Sequence, residues 1–548
     1  MKDMKRSIFF ILYTLLFGHA VAQVNYQVVP LPKSIQLTKE QPFQLDSTCI
    51  IVCADADAQM QRNAQFLKAY IYETTDLSLA VADKAPKRGK VIRLQVTPPS
   101  KGQEWASNAE GYRITISPKR GVLIEGGSPR GVFYGVQTLR KSLAALPLGD
   151  VRRRFACEAL GRARPLVACY RRDARRTLAR QECSARPWSL SCAPWVLRRF
   201  AEVSQRTFPF PAAVITDEPR FSYRAMHLDV CRHFFSVEQV KEYIDILALH
   251  NMNTFHWHLT DDQGWRIESK KYPRLHQIGS QRRHTVIGRN AGLFDETPHG
   301  GYYTQEQLRE VVRYAAERCI TVIPEVELPG HALAILAAYP ELGCTGGPYE
   351  VEPTWGVFND ILCAGNDKAF ELLCGVIDEL VEIFPSKYIN IGGDEAPKKR
   401  WEQCPKCQQR IREQGIKGDG NLTAEAKLQG YFTNRMEKHI NSLGRSIIGW
   451  DEIMEGDISQ SATVLCWRGI EHGIRAAQEG HDVIMAPTAY CYFDYYSSPK
   501  TNTGRNPSSL AAMCPWKRYI ATSLFPIVST TSPVATSSAC RPTSGRST

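Results

Sequence analysis

The segment Tyr388-Ile-Asn-Ile-Gly-Gly-Asp394-Glu395 ends an apolar run on two adjacent carboxylates. Read as a strand, it sets Ile389 and Ile391 on one face and Asn390 and Gly392 on the other. One face then packs on helices while the other looks inward. The two glycines lack a Cβ and clear room for a ligand beside the backbone. Two carboxylates in one small volume push one pKa up, which suits a general acid kept protonated near neutral pH. Acids also cap helix N-termini, but capping does not call for a preceding Gly-Gly.

A second constellation is His256-Trp-His-Leu-Thr-Asp-Asp-Gln-Gly-Trp265. His256 and His258 share a strand face, and two acids follow in the loop. Alone, His-x-His after a strand also fits a metal-dependent hydrolase of the amidohydrolase kind, which needs further ligands at later strand ends. Of the later histidines only His331 lies near one. A third group is aromatic: Trp450, Trp467, Tyr490 and Tyr492, with Trp257 and Trp265 nearby. Flat aromatic faces suit the C–H faces of sugar rings, while carboxylates and arginine suit hydroxyls. Cys404-Pro-Lys-Cys407 lacks a second pair at zinc-ribbon spacing and reads as a local disulfide or two free thiols.

The elements that must position these groups repeat as strand and helix. Strands are expected at 223–230, 254–259, 321–327, 388–392, 446–450, 463–467 and 482–487. Helices are expected at about 236–250, 304–318, 367–384, 423–441 and 470–479. Each strand is apolar along its length and ends in chemistry: Asp229/Arg232, His258/Asp261/Asp262, Glu325/Glu327, Asp394/Glu395, Trp450/Asp451/Glu452, Trp467/Arg468, and Tyr490/Tyr492/Asp494. A parallel barrel brings all its strand C-termini to one rim, whereas an open doubly wound sheet gathers ligand groups at one switch point. The fold class expected is therefore α/β, a (β/α)8 TIM barrel, although seven strands are legible and not eight. No GxGxxG or GxxxxGK[ST] motif supports a nucleotide. Upstream, strands at 91–96, 112–116 and 122–125 and a helix from Gly131 describe a small α/β domain over 23–147.

The chain has 548 residues, 43% hydrophobic and 23% charged, with a formal net charge of +12. That profile excludes wholesale disorder and coiled coil, and no internal apolar run is long enough for a membrane helix. Residues 151–200 hold 13 arginines, no lysine and three acids, so they account for +10 of the charge. The remainder is near neutral, which gives no case for nucleic acid. Lys2, Lys5 and Arg6, the apolar run Ile8 to Phe17 and Ala20-Val21-Ala22 read as a signal peptide over 1–22, hence an exported protein of the periplasm or cell surface. Residues 148–207, rich in Arg and Cys, and 508–548, with nine Ser, six Thr and no acid, differ abruptly in composition from the barrel domain expected between them at 208–507. Both read as sequence foreign to the domain.

The motifs at 256–265, Pro324-Glu-Val-Glu-Leu-Pro-Gly-His331, Gly392-Gly-Asp-Glu395 and Gly449-Trp-Asp-Glu452 together resemble the family-20 β-N-acetylhexosaminidases. The resemblance spans about 217–507, and 110–143 resembles the α/β domain that precedes the barrel there. It implies a retaining exo-glycosidase that removes terminal β-linked N-acetylglucosamine or N-acetylgalactosamine, with the substrate's acetamido oxygen as nucleophile. By motif position it implies Glu395 as general acid and Asp394 as the group that orients the acetamido. Arg224 would bind hydroxyls, and Asp261 and His331 would support the acid. Trp450 and Trp467 would wall the pocket, with Tyr492 on the acetamido carbonyl and Asp494 on an outer hydroxyl. No metal or organic cofactor is implied; the partner is a glycan or chitooligosaccharide. In the family an eighth strand carries a Trp-x-Glu pattern, which 508–548 lacks. The competing readings are a metal-dependent hydrolase and a non-catalytic sugar-binding relic.

Overall fold

The computed structural model describes residues 24–144 and 207–493, except 88, 289, 291 and 457. The expected signal peptide, the tail 508–548, Asp494 and all but the last residue of 148–207 lie outside the described residues. The chain divides into two compact units, Met1–Pro219 and Arg220–Thr548.

The first unit is built on a seven-stranded sheet. Its central hairpin, Tyr112–Ser117 with Gly121–Gly126, is flanked by Val91–Val96 on one side and Ala213–Asp217 on the other. The buried helices Ala58–Thr75 and Pro129–Ala144 pack together in this unit. Asp57 caps the first helix by accepting from the N–H groups of Gln59 and Met60. Phe208–Phe210 and Ala213–Asp217 pair with strands of this unit, Phe43–Leu45 and Ser34–Leu37 among them. Residues 208–217 fall inside the barrel domain expected at 208–507, but their hydrogen bonds put them in the preceding unit.

The second unit carries seven parallel strands in chain order: Ala225–Asp229, Thr254–His258, Thr321–Glu325, Tyr388–Asn390, Ser446–Trp450, Thr463–Cys466 and Asp482–Met485. Between them run Val237–Leu249, Gln305–Glu317, Asp367–Ile383, Ala424–Ser442 and Ile470–Gln478. Each expected element is found, with ends shifted by a residue or two. This is the strand–helix order of a (β/α)8 barrel, with seven strands among the described residues. Capping explains the sharp helix starts: Ser236 with Gln239, and Thr304 with Gln307, each form a reciprocal capping box.

Alternation along the second strand decides which side chains face the chemistry. Phe255 and Trp257 point outward, where Tyr243, Tyr303 and Phe384 meet them. His256 and His258 point inward. Trp257 and Trp265 are thus fully buried core residues, not part of an aromatic rim. Inside the barrel, Ile323, Ile448, Trp450, Leu465, Ile484 and Ala486 form a buried cluster that closes the interior beneath the strand ends. Each such aliphatic contributes roughly 1.5–3 kcal/mol relative to exposure.

Candidate active site

Strand register brings the chemistry into one row. Asp229 pairs with His258, His258 with Glu325, and Glu325 with Asn390, at the C-terminal ends of the first four barrel strands. Glu325 is fully buried, and His256 Nε2 lies 2.8 Å from its Oε2. His258 Nδ1 contacts the same oxygen, while His258 Nε2 lies 2.8 Å from Asp261 Oδ2. Burial pushes the Glu325 carboxyl up, but His256 and His258 outweigh it and hold it well below the usual range. His258 is driven the opposite way: burial lowers it, and the Glu325 and Asp261 charges raise it well above an ordinary histidine.

Asp394 and Glu395 sit just beyond the fourth strand. Asn390 Oδ1 accepts from the Gly392 N–H at 2.9 Å, bending the chain out of the sheet. From the helix Ala424–Ser442, the Gln429 amide donates to the Gly393 carbonyl at 2.6 Å. Gly392 has φ 62°, and a Cβ there would lie 1.8 Å from Glu327 Oε2. The space cleared by this glycine is therefore filled by a carboxyl of the protein, where the sequence suggested a ligand. Glu395 and His331 also hold left-handed backbone, at φ 45° and 47°. For residues with a Cβ this conformation costs on the order of 1–3 kcal/mol and collects at functional sites.

His331 links the acids. Its Nδ1 donates to Asp262 Oδ2 at 3.0 Å and lies 3.5 Å from Asp261 Oδ1. Its Nε2 lies 3.5 Å from both Asp394 Oδ2 and Glu395 Oε2. Burial lowers its pKa, but Asp261 and the hydrogen bonds to the surrounding acids raise it well above the ordinary value. The structure thus adds Asp262 to the expected Asp261–His331 pair, and it is the nearer of the two. Asp261 is shared with Arg232, whose Nη1 lies 2.7 Å from it and 2.9 Å from Asp229.

Arg224 is not brought to this rim. It precedes the first barrel strand, and its guanidinium donates to the backbone carbonyls of Asn251 and Phe221 at 2.8 and 2.7 Å, at the strands' N-terminal ends. Arg232, eight residues later in the same motif, stands at the C-terminal rim and is the arginine the geometry offers. The signal that could have found it is its place after the strand and beside Asp229.

Trp450 is 8% exposed, with its ring centroid 6.0 Å from that of His256. The Trp467 indole N–H donates to Glu452 at 3.0 Å, and the backbone N–H groups of Trp467 and Arg468 donate to Asp451 at 3.0 and 3.2 Å. Burial, then Asp394, push the Glu452 carboxyl up to about 8. Glu327 is raised well above the usual range by burial and by Asp394 and Glu325. Sequence reasoning gave neither acid a role. Glu395, Lys398, Gln429, Glu452 and Arg468 line a cavity of about 340 Å³. Tyr492 follows the short helix Thr488–Cys491 and is half-buried.

Four groups of side chains at this rim hold donor atoms close enough to share a cation, among them His227, His258 and Glu325, and His331, Asp394 and Glu395. His258, on which a metal-hydrolase reading depends, has both ring nitrogens engaged by carboxylates, Nδ1 by Glu325 and Nε2 by Asp261.

Comparison with known proteins agrees with this architecture. Residues 221–538 match the glycosyl hydrolase family 20 catalytic domain, and residues 25–153 match domain 2 of that family. The first match runs into the tail set apart by composition. A β-hexosaminidase of Porphyromonas gingivalis is 40% identical over 476 residues, covering 86% of this chain and 52% of that protein. One from Vibrio furnissii is 42% identical over 287 residues, 52% of this chain and 46% of its own length. The chain thus spans about half the length of these relatives. A solved family-20 exo-β-N-acetylglucosaminidase from Vibrio harveyi, in complex with N-acetylglucosamine, superposes with a TM-score of 0.66 at 26% identity, covering 91% of this chain and 66% of that one. With its catalytic-domain match extending over more than half its residues, the chain belongs to glycosyl hydrolase family 20.

Proposed function

We propose that the chain is an exo-acting, retaining glycosidase that releases terminal non-reducing β-linked N-acetyl-D-hexosamine, with the sugar's own acetamido oxygen as nucleophile. The observation that carries this reading is the Asp394–Glu395 step. Two neighbouring carboxylates diverge from one left-handed turn, share His331, and leave Asp394 Oδ1 buried without a hydrogen-bond partner among the described residues. A buried orphan acceptor costs free energy unless something donates to it. The acetamido N–H is such a donor.

In the proposed reaction Glu395 gives its proton to the glycosidic oxygen as the C1–O bond breaks. The acetamido carbonyl oxygen forms a bond to C1 from the opposite face. Asp394 accepts from the acetamido N–H and stabilises the positive charge that spreads over the resulting oxazolinium ring. Glu395, now a carboxylate, takes a proton from the water that attacks C1 as the bond from C1 to the acetamido oxygen breaks, and this second inversion at C1 restores the starting configuration. His331, held protonated by the acids around it, fixes both carboxylates. Arg232, braced by Asp229 and Asp261, takes the hydroxyl-binding role the sequence gave to Arg224. Trp450 and Trp467 wall the acetamido methyl, Tyr492 is assigned to the acetamido carbonyl, and Asp494, outside the described residues, to an outer hydroxyl. The basic start, apolar middle and small-residue end of residues 1–22 support an exported enzyme acting on glycans or chitooligosaccharides.

The test is hydrolysis of an aryl β-N-acetylglucosaminide beside the matching aryl β-glucoside. Losing an intramolecular nucleophile should slow the glucoside at least about 10³-fold. Comparable rates on both would overturn the assignment of the acetamido group.

A further inference from the structure

Four cysteines converge in the second unit, and none of them belongs to the groups of donor atoms at the rim. Cys344, Cys363, Cys404 and Cys407 have all their sulfurs within 4.8 Å of one another, and three of the four side chains are buried. The Cys404-x-x-Cys407 pair is therefore not alone. Its partners come from about forty and sixty residues earlier, far from the spacing of a zinc ribbon.

The two arms are held by backbone. Gly343 and Leu362 form an antiparallel bridge, and the Cys363 N–H donates to the Leu342 carbonyl at 2.9 Å, which sets Cys344 and Cys363 side by side. On the other arm Cys404 precedes the helix Pro405–Glu413 and Cys407 lies in its first turn, where the helix dipole favours thiolate. The arms are fitted to each other as well. A Cβ on Gly365 would lie 2.2 Å from the Lys406 carbonyl, so only glycine lets the loop reach the Cys-x-x-Cys turn. The Trp401 indole N–H donates to the Leu362 carbonyl at 2.9 Å, and Arg400 pairs with Asp360 at 2.8 Å.

Distances decide between a metal and disulfides. The separations are 3.9 Å for Cys344–Cys407, 3.7 Å for Cys363–Cys404 and 3.6 Å for Cys363–Cys407. A tetrahedral zinc with Zn–S arms of about 2.3 Å has sulfur–sulfur edges of about 3.8 Å. A disulfide needs about 2.05 Å, and Cys363 favours neither Cys404 nor Cys407 as a single mate. We infer that Cys344, Cys363, Cys404 and Cys407 bind one structural Zn²⁺ as four thiolates. Four protein ligands leave no open position, so the ion takes no part in hydrolysis. It ties the segment after the third barrel strand, which carries Glu327 and His331, to the segment after the fourth, which carries Asp394 and Glu395. Binding releases the thiol protons and requires no oxidant.

The full chain, purified without added metal, should contain about one zinc per chain by plasma mass spectrometry. Its zinc absorption edge should fit four sulfurs at about 2.3 Å. Cys363→Ser should drop zinc below about 0.1 per chain; if that variant does not fold, the absorption fit to the wild type carries the test alone. Substoichiometric zinc would overturn the inference, whether unreduced peptide mapping then shows these cysteines as disulfides or as free thiols. Stoichiometric iron in place of zinc would overturn the choice of metal, and a zinc shell with oxygen or nitrogen would overturn the choice of ligands.

Discussion

At the scale of single residues, Asp394 and Glu395 are chemically alike and are asked to do different things. In the proposed reaction Glu395 serves the leaving group, so its loss should matter most where the leaving group is poor. Glu395→Gln is expected to lower kcat about 10²-fold on a nitrophenyl glycoside and more than about 10³-fold on a disaccharide, whose leaving oxygen must be protonated. Asp394→Asn acts on the acetamido and should lower kcat by a similar factor on both substrates. Steady-state rates of the two variants on the two substrates decide it. The same leaving-group dependence in both would mean that the roles are not divided in this way. Residue types and spacing were enough to find this pair, because adjacent carboxylates after Gly-Gly are a local pattern. They were not enough to choose Arg232 over Arg224. Both lie in one motif, and only the boundaries of the strand Ala225–Asp229 separate the residue before it from the one after it.

At the scale of elements, periodicity located nearly every barrel strand and helix, since short apolar runs ending in polar residues alternate with amphipathic helices; along Thr254–His258 outward Phe255 and Trp257 alternate with inward His256 and His258. The same alternation separates Trp257 from the aromatic group that the sequence sets it near: one residue from two inward histidines, it has to face the helices. Long-range placement was not legible, which is why Asp262 next to His331, Glu327 over Gly392 and the second pair of cysteines emerge only from the fold. The loop after the fifth strand gives a measurable consequence. Glu452 has a folded pKa of about 8 and an unfolded value near 4.3. Between these values the folded chain holds a proton that the unfolded chain has released, so stability must fall as pH rises through that window. Glu452→Gln keeps a carbonyl oxygen for the Trp467 indole N–H but removes the ionisation. Its Tm should therefore decline less than that of wild type between about pH 5 and 8, measured by calorimetry at both ends. Parallel Tm profiles would mean that Glu452 ionises normally.

At the scale of the whole molecule, charge and chemistry are separated along the chain. Ten of the twelve net positive charges fall in residues 151–200, while the rim that faces substrate is rich in buried acids balanced by His258, His331, Arg232 and Arg468. A polyanionic ligand steered by the basic block would bind more weakly with every increment of salt, because each neutralised phosphate or carboxylate releases counterions. A neutral N-acetylhexosaminide carries no charge for such a field to steer, and the ion pairs that organise the site are buried enough to escape most screening. Raising salt from about 50 to 500 mM shortens the screening length several-fold. Over that range kcat/KM on a neutral aryl β-N-acetylglucosaminide should change by less than about two-fold. A tenfold loss would mean that charge outside the rim contributes to binding, and would return the basic block to the functional account.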